Sequence, residues 1–167
     1  MVLILSCKEV TSLIRHCITP FELLANQARV FQALCTSTSN NTKQSNEFTL
    51  DAPHRITLSL RNATTLFMPA RVANEVTCKI VSVPKQGSGL AASTVVLDDV
   101  NGSLKALVNA TSLTALRTAA GSALATLAVQ GKPSDSKKHI TVFGSGQQAL
   151  YHANFFSFLL QVNQLDF

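Results

Sequence analysis

Tryptophan is missing from the chain, tyrosine occurs once, and only 14% of the 167 residues are charged. Acidic residues number 9 against 14 basic ones, and the net charge of +5 is scattered, with Lys137-Lys138 the only adjacent basic pair. No run of Lys and Arg interleaved with aromatics is present to track a phosphate backbone, so nucleic-acid binding is not expected. Cys7, Cys17, Cys35 and Cys78 form no C-x-x-C, and no His stands at metal-ligand spacing. A zinc site is therefore not expected, and the cysteines read as buried or free thiols in a reducing, cytoplasmic compartment. No run reaches the apolar length of a membrane span. The opening MVLILSC is too short for the apolar region of a signal peptide and has no basic residue before it, so it reads as a first β-strand. Without a signal peptide, the N-x-Ser/Thr sequons at Asn40, Asn62, Asn101 and Asn109 read as chance occurrences.

What is present is 46% hydrophobic, enough for a packed core, in a length that suits one domain or one domain and part of another. Ser6-Cys7-Lys8-Glu9 is a capping box, in which Ser6 can accept from the third helical N–H and Glu9 can reach back. Val10, Leu13, Ile14 and Cys17 then share one helical face. Thr19-Pro20-Phe21-Glu22 repeats the device with Pro at the first helical position. Leu23, Leu24, Phe31 and Leu34 are expected to be the buried side of that second helix. CTSTSNNTKQSN reads as a polar loop.

The middle is β-like. EFTLDAPHRITLSL, TTLFMPARV and EVTCKIVSV have the β-branched content of strands, and KQGSG is a loop. STVVLDDVNGSLKALV reads as a hairpin with Asn101-Gly102 in a tight turn. Consecutive hairpins predict an antiparallel or mixed sheet. TSLTALRTAAGSALATLAVQG is then a helix built on small residues and ending at Gly131. KPSDSKK is a solvated connector, and HITVFG a short buried strand. A boundary falls near Ser112, dividing the chain into 1–111 and 112–167.

Gly144-Ser145-Gly146-Gln147-Gln148-Ala149 fits G-x-G-x-x-G/A between a strand and a helix. The first Gly permits a tight turn, the second lets backbone approach a pyrophosphate, and Ala allows close helix–strand packing. An ordinary strand–helix turn that needs glycine is the plainer alternative, and the placement favours a nucleotide only slightly. Asp166 lies near the spacing of the acid that would bind a ribose. The second strand only begins at Leu165, however, so Asp166 is read as a decoy.

Several separated stretches resemble the ornithine cyclodeaminase/mu-crystallin family: PHR at 53–55, LFMPAR at 66–71, CKIVSV at 78–83, the hairpin with its Asn-Gly, LTALRTAAGSALA at 113–125 and VFGSGQQA at 142–149. The opening LILSCKEV is similar as well. The resemblance implies an α/β protein. Its N-terminal mixed α+β domain makes a homodimer and lines the substrate site, and a Rossmann domain binding NAD or NADP begins after it. The implied chemistry is hydride transfer at the α-carbon of a small amino acid or cyclic imine. Carried over by motif, Arg55 binds the substrate carboxylate through its guanidinium fork. Lys79 sits near the reacting carbon, as a catalytic and substrate-binding group. Arg117 helps with the carboxylate and, with Thr118, faces the cofactor; Gly144, Ser145, Gly146, Gln147 and Gln148 hold the pyrophosphate region. Singly, Arg55, Lys79 and Arg117 read as surface charges. Their joint occurrence inside matching motifs reverses that.

There are departures from the family pattern. Leu66 stands where some members have Glu, which disfavours a diamino-acid substrate such as ornithine. Ala92 stands where a cofactor-contacting Thr is common, and the loop KQGSGLAAS is short. The sequence stops before the positions the resemblance assigns to the ribose, the nicotinamide and a catalytic Asp. The expectation is an incomplete fragment without turnover of its own; a non-enzymatic dimerising or small-ligand-binding remnant is the alternative. Leu150, Phe155, Phe156, Phe158, Leu159 and Leu160 on the last helix are then expected to lie largely uncovered. Each large side chain left exposed forfeits about 1.5–3 kcal/mol.

Overall fold

The computed structural model describes residues 1–39, 50–87, 89–130, 139–160 and 165–166. They fall into two compact units, Met1–Ile14 with Val30–Thr111, and Arg15–Arg29 with Ser112–Phe167. Residues 15–29 thus group with the second unit rather than with the N-terminal residues that flank them in sequence.

Strand β1 (Leu3–Leu5) leads into helix α1 (Cys7–Cys17), and α2 spans Pro20–Ser39. Both capping boxes form. The Ser6 N–H and hydroxyl donate to Glu9 Oε2 at 2.8 and 2.7 Å, and the Glu9 N–H returns a bond to Ser6 Oγ at 3.4 Å. The Thr19 N–H and hydroxyl donate to Glu22 Oε2 at 2.9 and 2.8 Å, and the Glu22 N–H donates to Thr19 Oγ1 at 3.2 Å. Bonds from the Ser6 hydroxyl and then its N–H hold the Glu9 carboxyl below its ordinary range; the Thr19 N–H and then its hydroxyl do so for Glu22.

The helix faces are narrower than their spacing implies. Val10 and Ile14 are buried on α1, but Leu13 and Cys17 are exposed. Among the described side chains of α2 only Leu24 is buried; Leu23 is half-buried, and Phe31 and Leu34 are exposed at 45% and 39%. The expected loop from Cys35 is helical as far as Ser39, because α2 carries on through its polar end. Residues 40–46 of that stretch lie outside the described residues.

The first unit is organised on a seven-stranded sheet, in the order β1-β7-β6-β5-β4-β2 with β3 also on β4. Its strands are β2 (Leu50–Asp51), β3 (Ile56–Ser59), β4 (Ala63–Val72), β5 (Glu75–Pro84), β6 (Ala91–Asp98) and β7 (Leu104–Asn109). All pairings are antiparallel except β1 with β7, so the sheet is mixed. The β6–β7 connection is wider than a two-residue turn. Asp98 Oδ1 accepts from the N–H groups of Val100 and Asn101, and Gly102 takes the positive φ of 70°. The β4–β5 turn forces a positive φ of 52° on Ala73, a residue with a Cβ.

Opposed residues in an antiparallel ladder point to the same face. One face carries the row Met68, Lys79, Thr94 and the neighbouring row Leu66, Val81, Ala92. Val81, Ala92 and Ala110 form a buried cluster there. On the other face Thr65 is buried and hydrogen-bonded to Ser82 at 2.9 Å, but Ile4, Ile56 and Leu58 are exposed at 68%, 59% and 51%.

In the second unit α3 (Thr111–Gln130) presents Ser112, Ala115, Leu116, Ala119, Ala120 and Ala123 as a buried stripe. The offsets of three, four, seven, eight and eleven are those of one helical face. Contrary to the sequence reading, α3 is long and apolar enough over Thr111–Val129 to cross a membrane by length and composition. Its burial is confined to the small-residue stripe, as in a helix packed within a protein. Gly131 and the connector at 132–138 lie outside the described residues.

Strand β8 (Ile140–Thr141), helix α4 (Gln147–Leu160) and strand β9 (Leu165–Asp166) follow, with β9 parallel to β8. The run HITVFG is less buried than expected: Ile140 and Val142 are half-buried and Phe143 is 92% exposed. A parallel strand is buried only when neighbours and helices cover both faces. On α4, Phe155 is buried and Phe156 and Leu159 are half-buried, whereas Leu150 and Phe158 are exposed. Phe158 meets Phe21 edge-on, with ring centroids 5.2 Å apart.

Candidate functional site

The charged residues singled out in the first unit lie close in the sheet. Lys79 pairs with Met68 on β4 and Thr94 on β6. Arg55 directly precedes Ile56, whose partner Phe67 is the neighbour of Met68. Arg55 and Lys79 are therefore separated by one strand, a backbone distance of about 10 Å from two strand spacings. Lys79 is half-buried and Arg55 exposed. Two long cationic side chains at that spacing can converge on one carboxylate, the guanidinium by a planar fork and the ammonium as a point charge. Thr94 and Met68, which flank Lys79 across the ladder, were not evident in the sequence; only the strand register reveals them.

Ala92 is 4% exposed, and its carbonyl accepts from the Ala110 N–H at 2.8 Å. A methyl group here serves packing with Val81 and Ala110. Leu66 is half-buried opposite Val81.

The second unit holds the other group. Arg117 and Thr118 lie on the first half of α3, Arg117 exposed and Thr118 with its hydroxyl donating to the Thr114 carbonyl at 2.7 Å. Between β8 and α4, Gly144 has φ +112°, a conformation that side chains with a Cβ rarely adopt. Helical bonding begins with the Leu150 N–H on the Gly146 carbonyl at 3.1 Å. The N–H groups of Gln147, Gln148 and Ala149 belong to the first turn, where intrahelical acceptors are lacking and the helix dipole favours an anion.

A Cβ built on Gly146 would meet nothing within 4 Å, so the backbone here is open to close approach. Val142, Gly144, Ser145, Ala149 and Leu150 line a hollow of about 510 Å³ beside the turn. Glycine backbone, first-turn N–H groups and an apolar hollow fit a dinucleotide pyrophosphate and its neighbouring ring. Asp166 pairs with Thr141 at the start of the parallel β8–β9 ladder. Among the described residues no group of three or more His, Cys, Asp and Glu could hold a metal ion.

Residues 23–167 match the family model described as the ornithine cyclodeaminase/mu-crystallin family. The chain belongs to this family. Among solved structures, a probable ornithine cyclodeaminase from Bordetella pertussis Tohama I is similar with a TM-score of 0.75 at 17% identity, over 99% of this chain and 47% of that one. Thermococcus litoralis Δ1-pyrroline-2-carboxylate reductase, in complex with NADH and L-proline, gives 0.76 at 22% identity, over 98% and 48%. An archaeal alanine dehydrogenase dimer with bound NAD gives 0.73 at 20% identity, over 98% and 47%. At these identities the likeness is one of fold. The chain spans about half the length of these relatives. No curated protein matches it.

Proposed function

We propose that the chain is part of an NAD(P)-dependent protein that transfers hydride at the α-carbon of an amino acid or cyclic ketimine. The observation that carries this reading is the strand–turn–helix at Gly144–Gln148, with Gly144 at φ +112° and an open backbone at Gly146, within a family-matched chain. Relatives of the same fold hold NADH with L-proline, or NAD. Gly144, Ser145, Gly146, Gln147 and Gln148 bind the pyrophosphate region, and Arg117 and Thr118 face the cofactor. When bound, NAD(P) supplies the hydride acceptor or donor.

On the substrate side, Arg55 holds the carboxylate. Lys79 orients the substrate and exchanges a proton near the reacting carbon. Leu66 beside this row disfavours a second amino group on the substrate.

The division into a substrate and dimerisation domain at 1–111 and a nucleotide domain from 112 is part of the proposal. A homodimer forms through the first unit's sheet, supported by the exposed Ile4, Ile56 and Leu58 on one face. A cytoplasmic setting accords with four cysteines of which none is in a disulfide and three are exposed. These 167 residues, about half the length of the solved relatives, bind dinucleotide without completing turnover by themselves. The exposed apolar sheet face also favours a second reading, a non-enzymatic dimerising or small-ligand-binding module.

The test mixes the purified chain with NADH and Δ1-pyrroline-2-carboxylate, following both NADH binding and NADH loss. Binding without loss is expected. Loss of NADH in step with product overturns the claim of no turnover, and absence of binding overturns the cofactor assignment in favour of the second reading.

A further inference from the structure

His152 lies on α4, one turn beyond Gln148. Its Nδ1 is 2.8 Å from the Gln148 carbonyl oxygen, and its Nε2 is 3.0 Å from Ser122 Oγ on α3. A carbonyl only accepts, so Nδ1 carries the proton; in the neutral ring Nε2 then accepts from the Ser122 hydroxyl. The ring also lies nearly parallel to Phe156, at 13° and 6.4 Å between centroids. Both ring nitrogens and one ring face are therefore engaged, and the side chain is half-buried.

The two ends of this bridge are both relevant to the glycine turn. Gln148 is in the first turn of α4, whose N–H groups face the position of the pyrophosphate. Ser122 follows Arg117 and Thr118 on α3, a little over one helical turn further on. A bridge between the helices restricts how far the first turn of α4 can shift or fray relative to α3. First turns of helices fray readily because their N–H groups lack intrahelical partners.

We propose that His152 is a positioning residue for the dinucleotide turn. Through Ser122 it ties α4 to α3 and sets the N–H groups of the first turn before the cofactor binds, so that less ordering accompanies binding. The inference rests on the reading of Gly144–Gln148 as a dinucleotide site. His152 transfers no proton and touches no substrate in this role.

The test uses the 167-residue chain with His152→Phe, His152→Gln, Ser122→Ala and the double variant S122A/H152F. Phenylalanine keeps a ring beside Phe156 and deletes both hydrogen bonds; glutamine offers an amide oxygen that can again accept from Ser122. Two quantities are read: amide hydrogen exchange at Leu150 and Tyr151 without ligand, and the NADH dissociation constant from amide NMR shifts. H152F and S122A are each expected to speed exchange in this turn and weaken NADH binding about 3- to 10-fold, the range set by the net worth of one hydrogen bond. The double variant should bind no more weakly than the weaker single variant, since both remove one bridge. H152Q should recover most of the affinity.

Faster exchange in H152F with an unchanged dissociation constant would make the contact merely structural and overturn the proposal. So would unchanged exchange, strictly additive losses, or no recovery in H152Q. Wild-type chain that fails to bind NADH overturns the dinucleotide reading and this role together. Failure of the bridge alone leaves wild-type binding intact, which separates the two cases.

Discussion

Replacing Ala119 by Leu tests the packing of α3. Ala119, Ala120 and Ala123 have no exposed surface at all, and Ala115 has 3%. Leucine adds three carbons at a position already enclosed. If the neighbours left room, burying those carbons would stabilise the fold by about 2.4 kcal/mol, at about 0.8 kcal/mol per methylene. Protein interiors pack at crystal-like density, so room for three carbons is not available without displacing backbone or side chains. Overpacking of this kind costs about 1–3 kcal/mol. The sign of the change therefore decides between a packed and an open face. With a urea slope of about 2 kcal/mol/M, a loss of about 2 kcal/mol lowers the unfolding midpoint by about 1 M. Ala125 on the same helix is exposed, and leucine there should change stability by no more than about 0.5 kcal/mol. Urea unfolding followed by circular dichroism reads both. A midpoint for Ala119→Leu at or above wild type would refute the packed stripe. It would also revive the alternative that the length and apolarity of α3 allow, a helix whose surroundings welcome leucine.

Three further outcomes are expected. Ala73→Gly should stabilise the chain by about 0.5–1 kcal/mol in the same unfolding assay, because φ 52° strains a residue with a Cβ and suits glycine; a drop in stability would show the turn to be unstrained. Glu9 and Glu22 have folded pKa values below the ordinary 4.5, so their capping contributes stability that is fully present above 4.5 and lost as pH falls through the lower folded values. The double variant Glu9→Gln/Glu22→Gln should therefore lose less thermal stability than wild type between pH 5 and about pH 3, and parallel curves would count against the caps. If the proposed dimer forms through the exposed sheet face, Ile56→Lys should weaken it to monomer in light scattering at unchanged far-ultraviolet circular dichroism; a wild-type chain that is monomeric, or a variant that stays dimeric, removes that face from the interface.

Much of the architecture was legible because local signals and tertiary structure agree. The Ser6 and Thr19 boxes are determined within four residues, and both form. The β-branched runs around Lys79 became neighbouring strands because short connections favour antiparallel pairing. The Gly144 turn was legible because a strand, glycines and a helix start follow one another directly. The exposure of Phe31 and Leu34 departs from their expected burial, since periodicity says which residues share a face and nothing of what covers it. The end of α2 was not legible, because Cys35-Thr36-Ser37-Thr38-Ser39 has loop composition and the helix nevertheless extends through it. Ala73 gave no turn signal, being neither Gly nor Asn. Of the candidate site, Arg55 and Lys79 could be named from motifs, whereas Met68 and Thr94 follow from register and the His152–Ser122 bond from contact across two helices. Side chains thirty residues apart carry no local trace of such a contact.

The proposed function depends most on the turn at Gly144–Gln148 receiving a dinucleotide. Titration of the isotope-labelled chain with NADH, read residue by residue from backbone amide shifts, tests it directly. Saturable shifts concentrated at Gly144, Ser145, Gly146, Gln147, Gln148 and Ala149 are expected, abolished by Gly144→Val. Shifts spread evenly over the surface, or a Gly144→Val variant that responds like wild type, would contradict it.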